Sequence, residues 1–235
     1  MSRTNSKWFD VLPSNRCIAE YSVWSANLTA LDADITRVGG FADIYHLDVA
    51  DGIFAPSLLF FPDLVAALRP RTDIPFHIHL MVDDAVLLSQ IDQFAEAGAD
   101  LISVHVENHN AGEALVRIKR LGLRAGVVLR VETPVSQAAA FIEDIDMLTL
   151  LGTRIGVKGQ GLDPAATARL REATTLISAR KSSARCILAA DGGIREETVP
   201  MLYTAGAQTV VMGSLAYGAQ DLAARMAWLH GLKRA

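Results

Sequence analysis

The sequence has little cysteine, and its cysteines are not placed as a pair. Cys17 and Cys186 are the only two among 235 residues, and neither belongs to a spacing that is typical of metal sites or redox motifs. A disulfide scaffold and a thiolate metal cluster are therefore not indicated. We interpret both residues as ordinary packing residues of a protein from a reducing compartment.

Long apolar runs and an excess of basic charge are missing as well. Residues 1–16 are polar, contain Pro13, and hold no apolar stretch long enough for a signal peptide or a membrane span. The formal net charge is −4, and no run of lysine and arginine alternates with aromatic residues. A nucleic-acid or membrane partner is thus not indicated. We expect a cytoplasmic protein that binds a small molecule, with residues 1–16 as a polar N-terminal extension.

The rest of the chain has the composition of one folded domain. Hydrophobic residues make up 51% of the sequence and charged residues 20%, which suits a large buried core. No linker or low-complexity segment divides the chain. A single domain over residues 17–235 also matches the length of about 200 to 250 residues that α/β barrels usually have.

Eight short apolar or β-branched runs alternate with segments of helical periodicity, which predicts a repeated strand-helix order. The predicted strands cover residues 18–23, 44–49, 76–81, 101–106, 124–129, 147–151, 187–190 and 209–212. Eight such units close into a barrel, whereas a doubly wound sheet usually has fewer strands and a topological switch point. The predicted fold class is α/β, a (β/α)8 TIM barrel, and its reactive groups should lie where the strands end.

Polar side chains occur at the ends of three of these strands. His46 and Asp48 lie two residues apart on the second strand, and His77 and His79 lie two apart on the third, so each pair shares one face of its strand. Asp191 ends the seventh strand. Each pattern has a simpler explanation, since a His-x-Asp pair is commonly hydrogen-bonded in a core and Asp-Gly-Gly is commonly a turn. Burying these groups unpaired would cost several kcal/mol per charge. Their common location therefore favours a divalent-metal site with nitrogen and oxygen ligands.

Five motifs in order give the sequence a resemblance to one family. They are Ser22-Val23-Trp24-Ser25-Ala26-Asn27, His46-Leu47-Asp48-Val49-Ala50-Asp51-Gly52, His79-Leu80-Met81-Val82, Asp191-Gly192-Gly193-Ile194 and Gly213-Ser214. The chain resembles the ribulose-phosphate 3-epimerase family over nearly its whole length, from about residue 18 to residue 218.

The resemblance implies that His46, Asp48, His79 and Asp191 bind one divalent metal ion, with zinc, iron, manganese and cobalt all compatible with this ligand set. It further implies that Asp48 and Asp191 are the acid–base pair of a C3 epimerase. The proton would leave one face of a phosphorylated ketose, a cis-enediolate would form, and a proton would return on the other face. No organic cofactor is expected, and a homo-oligomer remains open.

The resemblance also implies a set of substrate-binding and phosphate-binding residues, in which glycines let the backbone approach the anion. They are Ser25, His79, Met81, Gly156, Lys158, Gly159, Gln160, Gly192, Gly193, Gly213 and Ser214. The loop after strand 6 departs from the family, with Arg154-Ile155-Gly156-Val157-Lys158-Gly159-Gln160 where the family has Asn-Pro-Gly-Phe-Gly-Gly-Gln.

Because of these departures, the sequence does not identify which ketose is the substrate. Arg154 and Lys158 either add charge to phosphate recognition or are solvated surface side chains. Arg130-Val131 replaces the Asn-Pro of the family after strand 5, Ala50 replaces a methionine and Ser57 an asparagine. Ribulose 5-phosphate and xylulose 5-phosphate, a hexulose 6-phosphate and a tetrulose phosphate all remain candidate substrates.

Two further features of the sequence are assigned no chemistry. His105 and Glu107 on strand 4 either orient groups in the pocket or form a satisfied pair inside the barrel, and we favour the second interpretation. Trp24 is interpreted as packing.

Two alternative functions stay open. A sugar-phosphate decarboxylase or aldol-type synthase on the same barrel usually has a lysine near the ends of strands 2 and 3, and this chain has none there. A non-catalytic sugar-phosphate-binding barrel would be favoured by a missing metal ligand, and none is missing.

Overall fold

Eight parallel strands close into a barrel in the computed structural model, which describes residues 7–233. The strands follow one another around the barrel in chain order, and the last pairs with the first. Their bounds are β1 Ile18–Ser22, β2 Ile44–Ala50, β3 Phe76–Met81, β4 Leu101–His105, β5 Arg124–Leu129, β6 Met147–Leu151, β7 Ile187–Asp191 and β8 Thr209–Met212. The predicted TIM barrel is confirmed.

Helices pack on the outside of the barrel, except the first, which precedes β1 and lies at the end where the strands begin. They are α1 Lys7–Asp10, α2 Leu31–Gly39, α3 Pro62–Leu68, α4 Asp84–Glu96, α5 Ala111–Arg120, α6 Ala166–Ser178, α7 Val199–Thr204, α8 Ser214–Tyr217 and α9 Leu222–His230, with 3-10 helices at Val23–Ser25, Arg69–Arg71 and Val135–Ala140. Within residues 7–233, none of these helices combines the length and apolar character that crossing a bilayer requires.

The alternation of side chains along each strand divides the barrel wall into two faces. On β2, Tyr45 and Leu47 belong to the large apolar core that lies between strands and helices. His46 and Asp48, which alternate with them along the strand, are buried polar residues that face the inside of the barrel. The helices complete the outer core with one apolar stripe each, as Ala111, Ala114, Leu115 and Ile118 do on α5.

An apolar plug closes the end of the barrel at which the strands begin. Phe9 of α1 and Leu12 pack there against inward-facing residues of the strands, namely Ile18, Ile44, Leu101, Met147, Ile187 and Ala189. The Arg185 guanidinium fixes this segment by donating hydrogen bonds to the carbonyl oxygens of Phe9, Leu12 and Pro13. Part of the predicted polar extension thus contributes to the core, while residues 1–6, 234 and 235 lie outside the described residues. With this end filled, a ligand reaches the interior from the end at which the strands finish.

Candidate active site

Four side chains meet where β2, β3 and β7 end. His46 Nε2 lies 3.1 Å and His79 Nδ1 lies 3.2 Å from the same oxygen, Oδ1 of Asp48. Both nitrogens lie 3.7 Å from Oδ2 of Asp191. The ligand atoms of the four residues all lie within 4.8 Å of one another. The structure therefore brings together all four residues that the sequence predicted as metal ligands.

The chemistry of this cluster fits a divalent cation. Two imidazole nitrogens and two carboxylate oxygens are a donor set that first-row metals accept. The other ring nitrogens of the two histidines are already engaged, since His46 Nδ1 lies 2.8 Å from Glu20 Oε1 and His79 Nε2 lies 2.9 Å from His105 Nε2. Each histidine therefore directs its remaining nitrogen at the two aspartates, and the four residues can hold a metal ion.

The two aspartates of the cluster have opposite electrostatic environments. Burial by itself would raise the pKa of Asp48, but the adjacent His46 and His79 rings outweigh it and lower the pKa well below its ordinary value. At Asp191 burial dominates and, together with the Asp48 charge, raises the pKa above its ordinary value. Paired carboxyl groups whose pKa values are driven apart are typical of a proton acceptor and a proton donor in one site.

His79 is supported by His105 at the end of β4 and, through it, by Glu107 just after that strand. The His105 ring, next to His79 Nε2, has its Nδ1 2.9 Å from Oε2 of Glu107. Burial lowers the pKa of His105 to about 4, so the ring is neutral near pH 7. Glu107 also accepts hydrogen bonds from the Thr133 hydroxyl and from the backbone N–H of Arg130. His105 and Glu107 do form a satisfied pair, but His105 in addition orients His79, one of the four residues of the His/Asp cluster.

His46 is supported from the opposite side by Glu20 on β1, a residue for which the sequence predicted no role. Its Oε1 contacts His77 Nδ1 as well as His46. The signal was present in the sequence, because a glutamate in the middle of an otherwise apolar strand needs a buried partner if it faces inward.

A cavity of about 440 Å³ opens beside the cluster at the end of the barrel where the strands finish. Every residue that the sequence predicted for substrate or phosphate binding lines it: Ser25, His79, Met81, Gly156, Lys158, Gly159, Gln160, Gly192, Gly193, Gly213 and Ser214. Three residues without an assigned role, Trp24, Arg154 and Arg195, line it too.

The glycine pair after β7 is required by its backbone geometry. Gly192 has φ +89° and Gly193 has φ +69°, in the left-handed region that residues with a Cβ rarely adopt. A Cβ at Gly192 would lie 2.3 Å from Thr153 Oγ1, and one at Gly193 would lie 2.8 Å from the backbone of Leu162. Glycine therefore lets the loops after β6 and β7 approach each other at the edge of the cavity.

The loop after β6 is shaped by its own polar residues. Gln160 donates from Nε2 to the carbonyl oxygens of Arg154 and Val157, so its amide holds the loop. Lys158 reaches across to the loop after β1, where Nζ donates to the Trp24 carbonyl oxygen at 2.7 Å and lies 4.5 Å from the centroid of the indole. Burial lowers the pKa of Lys158. Lys158 is thus an exposed contact between two loops at the cavity, and Arg154 is exposed as well.

Arg130, which differs from the family motif after β5, does not line the cavity. Its guanidinium packs 4.1 Å from the centroid of the Phe54 ring and donates to the Phe54 carbonyl oxygen at 3.0 Å. The Phe54 ring in turn lies 4.9 Å from that of His105. Arg130 therefore holds the loop after β2 against His105, the residue that supports His79.

Comparison with solved structures finds the same fold at low sequence identity. A 3-hexulose-6-phosphate synthase superposes with a TM-score of 0.63 at 19% identity, covering 93% of this chain and 98% of that chain. An orotidine 5′-phosphate decarboxylase from Pyrococcus horikoshii OT3 superposes with a TM-score of 0.65 at 13% identity, covering 91% of this chain and 97% of that chain. At this identity the likeness concerns the fold alone.

Comparison with known sequences is more specific. Residues 18–217 match the Ribulose-phosphate 3 epimerase family. The ribulose-phosphate 3-epimerase of Bacillus subtilis (strain 168) is 35% identical over 214 residues, which cover 90% of this chain and 97% of the relative. The enzyme of the same name from Aquifex aeolicus (strain VF5) is 35% identical over 196 residues, which cover 83% and 86% of the two chains. The chain therefore belongs to the ribulose-phosphate 3-epimerase family and is an epimerase, an enzyme of the isomerase class.

Proposed function

We propose that this epimerase inverts C3 of a phosphorylated ketose, with the pair ribulose 5-phosphate and xylulose 5-phosphate as the first candidate. The observation that carries the proposal is the meeting of two histidines and two carboxylates beside a cavity bordered by glycine loops. The relatives' names, ribulose-phosphate 3-epimerase, point to the same substrate class.

His46, Asp48, His79 and Asp191 would hold one divalent cation, with zinc, iron, manganese and cobalt as candidates. When bound, the cation would stabilise negative charge on the substrate oxygens, an effect worth several kcal/mol. The proposal includes no organic cofactor.

Asp48 and Asp191 are the proton-transfer pair of the proposed reaction. They stand on β2 and β7, which β1 and β8 separate on one side of the barrel, so each carboxyl group approaches the substrate from its own direction. Asp48 removes the C3 proton from one face, and Asp191 returns a proton on the other, roles that agree with the lowered pKa of Asp48 and the raised pKa of Asp191. The roles exchange in the reverse reaction. Positioned acid–base groups of this kind typically contribute about 100-fold to 10,000-fold in rate.

The phosphate of the substrate would bind at the other end of the cavity. Gly192, Gly193, Gly213 and Ser214 line it, and backbone N–H groups of such loops are good anion donors. Gly156, Lys158, Gly159 and Gln160 of the loop after β6 would complete this end. Ser25, Met81 and His79 would contact the sugar.

A decarboxylase or an aldol-type synthase is not favoured. Within the part of the chain that the structure describes, Lys158 is the lysine in the cavity lining, and it lies on the loop after β6, away from the ends of β2 and β3. A barrel without turnover is not favoured either, since the two histidines and two aspartates that the proposal needs lie within 4.8 Å of one another.

Incubation with ketose phosphates in deuterated water tests the proposed function. We expect one pair of C3 epimers to interconvert with uptake of solvent deuterium at C3, because inversion proceeds by removal of the C3 proton. NMR spectra of ribulose 5-phosphate, xylulose 5-phosphate, a hexulose 6-phosphate and a tetrulose phosphate, each beside its unphosphorylated sugar, identify the substrate. Carbon–carbon bond cleavage, or no deuterium at C3 with any ketose, would contradict the proposal.

Substitution of each aspartate separates the two proton transfers. Asp191→Asn should lower the epimerisation rate by about 100-fold or more, while deuterium exchange into one epimer persists because Asp48 still removes the proton. Asp48→Asn should leave exchange only into the other epimer. Both variants are assayed at saturating metal with their metal content measured. Asp144→Asn, at an exposed ion pair with Lys119 far from the site, is the matched control. Wild-type epimerisation by either site variant would refute the two-base assignment.

A negative charge at Ser214 tests the phosphate end. Ser214→Asp places a carboxylate in the cavity against the phosphate, so kcat/KM for the ketose phosphate should fall by about tenfold or more, equivalent to ~1.4 kcal/mol. The slow reaction of the free sugar should not change. Ser183→Asp adds the same charge at an exposed position before β7 and should behave as wild type. Equal kcat/KM values for Ser214→Asp and wild type would remove Ser214 from the phosphate site.

A further inference from the structure

A layer of polar side chains lies inside the barrel directly beneath the metal cluster. Glu20, His77, Ser103 and Thr209 come from four different strands, and each is fully buried. Glu20 Oε1 lies 2.8 Å from His46 Nδ1 and 2.5 Å from His77 Nδ1, and its Oε2 accepts from the Thr209 hydroxyl at 3.2 Å. The carboxylate therefore joins a residue of the metal cluster to a network that the reaction itself does not use.

The hydrogen-bond chemistry of this network fixes where its protons lie. An ionised carboxylate only accepts, so both histidines must carry a proton on the Nδ1 that faces Glu20. Glu20 contacts three possible donors, the two Nδ1 atoms and the Thr209 hydroxyl, which is the arrangement of a carboxylate that accepts at both oxygens. With the proton of His77 on Nδ1, its Nε2 accepts from the Ser103 hydroxyl at 2.7 Å.

The same trio of Glu20, His46 and His77 contains ligand types that could suggest a second metal site. Its contacts of 2.5 and 2.8 Å exclude that interpretation. Two atoms that share a tetrahedral metal ion at about 2 Å each lie about 3.3 Å apart. The trio is instead a hydrogen-bonded group, and its carboxylate acts on the metal cluster only through His46.

A glycine on the neighbouring strand β5 leaves room for this network. A Cβ at Gly126 on β5 would lie 2.2 Å from Ser103 Oγ, so glycine leaves room for the hydroxyl that His77 needs. The chain from Glu20 through His77 to Ser103 is thereby complete at every polar atom, and Glu20 has one defined position.

We propose that Glu20 is a positioning residue for the metal site, which holds the proton of His46 on Nδ1 and so presents Nε2 to the cation. Its negative charge makes the His46 ring a stronger ligand, in the way that outer-shell carboxylates do in other metal sites. The outer nitrogen of His79 has no direct carboxylate partner, because His105 stands between it and Glu107. The inference rests on the metal site of the proposed function.

Cobalt titration of metal-free protein tests the role of Glu20. Glu20→Gln keeps the size of the side chain and removes its charge, so the Kd for Co²⁺, measured by competition with a chelating dye, should rise about 10-fold to 100-fold. The d–d absorption of bound Co²⁺ should change as well. No substrate is present, so activity does not enter the readout.

Ser103→Ala is the matched control, because it removes the far end of the same buried network without touching Glu20 or His46. Thermal unfolding of the metal-free variants measures stability separately. A purely structural Glu20 would lower the melting temperature of Glu20→Gln and leave its Kd equal to that of Ser103→Ala. That result overturns the inference.

A second measurement on the wild-type protein does not depend on the folding of a variant. In the zinc-loaded protein with ¹⁵N-labelled histidine, NMR should show His46 protonated at Nδ1. A His46 Nδ1 without a proton overturns the inference.

The outcomes also separate this inference from the proposed function. Wild-type affinity in Glu20→Gln overturns the role of Glu20 while the proposed metal site stands. Failure of the wild-type protein to bind any of Co²⁺, Zn²⁺, Fe²⁺ and Mn²⁺ overturns both.

Discussion

The buried charge of Asp48 is the constraint on which the rest of the site depends. One carboxylate oxygen lies within 3.2 Å of both His46 and His79, while the other accepts a hydrogen bond from Ser22. A carboxylate in this position would be strongly unfavourable without partners or a cation. The histidines need their own partners in turn, which explains why Glu20 stands behind one of them and His105 behind the other.

The barrel accommodates so many polar groups because its interior is built in layers. The end at which the strands begin is filled by apolar residues and by Phe9, so the interior there excludes water. The polar network of Glu20 lies above this plug, and the metal cluster and cavity lie above the network. The outer core between strands and helices is largely apolar and supplies most of the hydrophobic stabilisation. The polar site thus lies at the end where the strands finish, while apolar packing fills the opposite end and the outer layer, as is usual for this fold.

Features that depend on local periodicity could be predicted from the sequence. All eight strands were located to within one residue at either end, because each is a short apolar run between helical segments. The metal cluster was predicted because His46, Asp48, His79 and Asp191 fall at strand ends, which this fold gathers at one place. The family match over residues 18–217 bears out the resemblance.

Long-range contacts could not be predicted in the same way. The partners Glu20 and His77 are 57 residues apart, and Lys158 and Trp24 are 134 residues apart. No local pattern tells which inward-facing side chains of neighbouring strands meet. The interpretation of His105 as only a satisfied pair missed its contact with His79 for the same reason, and that of Trp24 as packing missed the contact with Lys158.

Removal of the metal tests the central claim most directly. The account predicts about one divalent cation per purified chain, loss of epimerisation when a chelator removes it, and recovery when zinc, iron, manganese or cobalt is added back. Elemental analysis and the epimerisation assay are carried out on the same samples. Full epimerisation activity in protein shown to be free of metal would contradict the account.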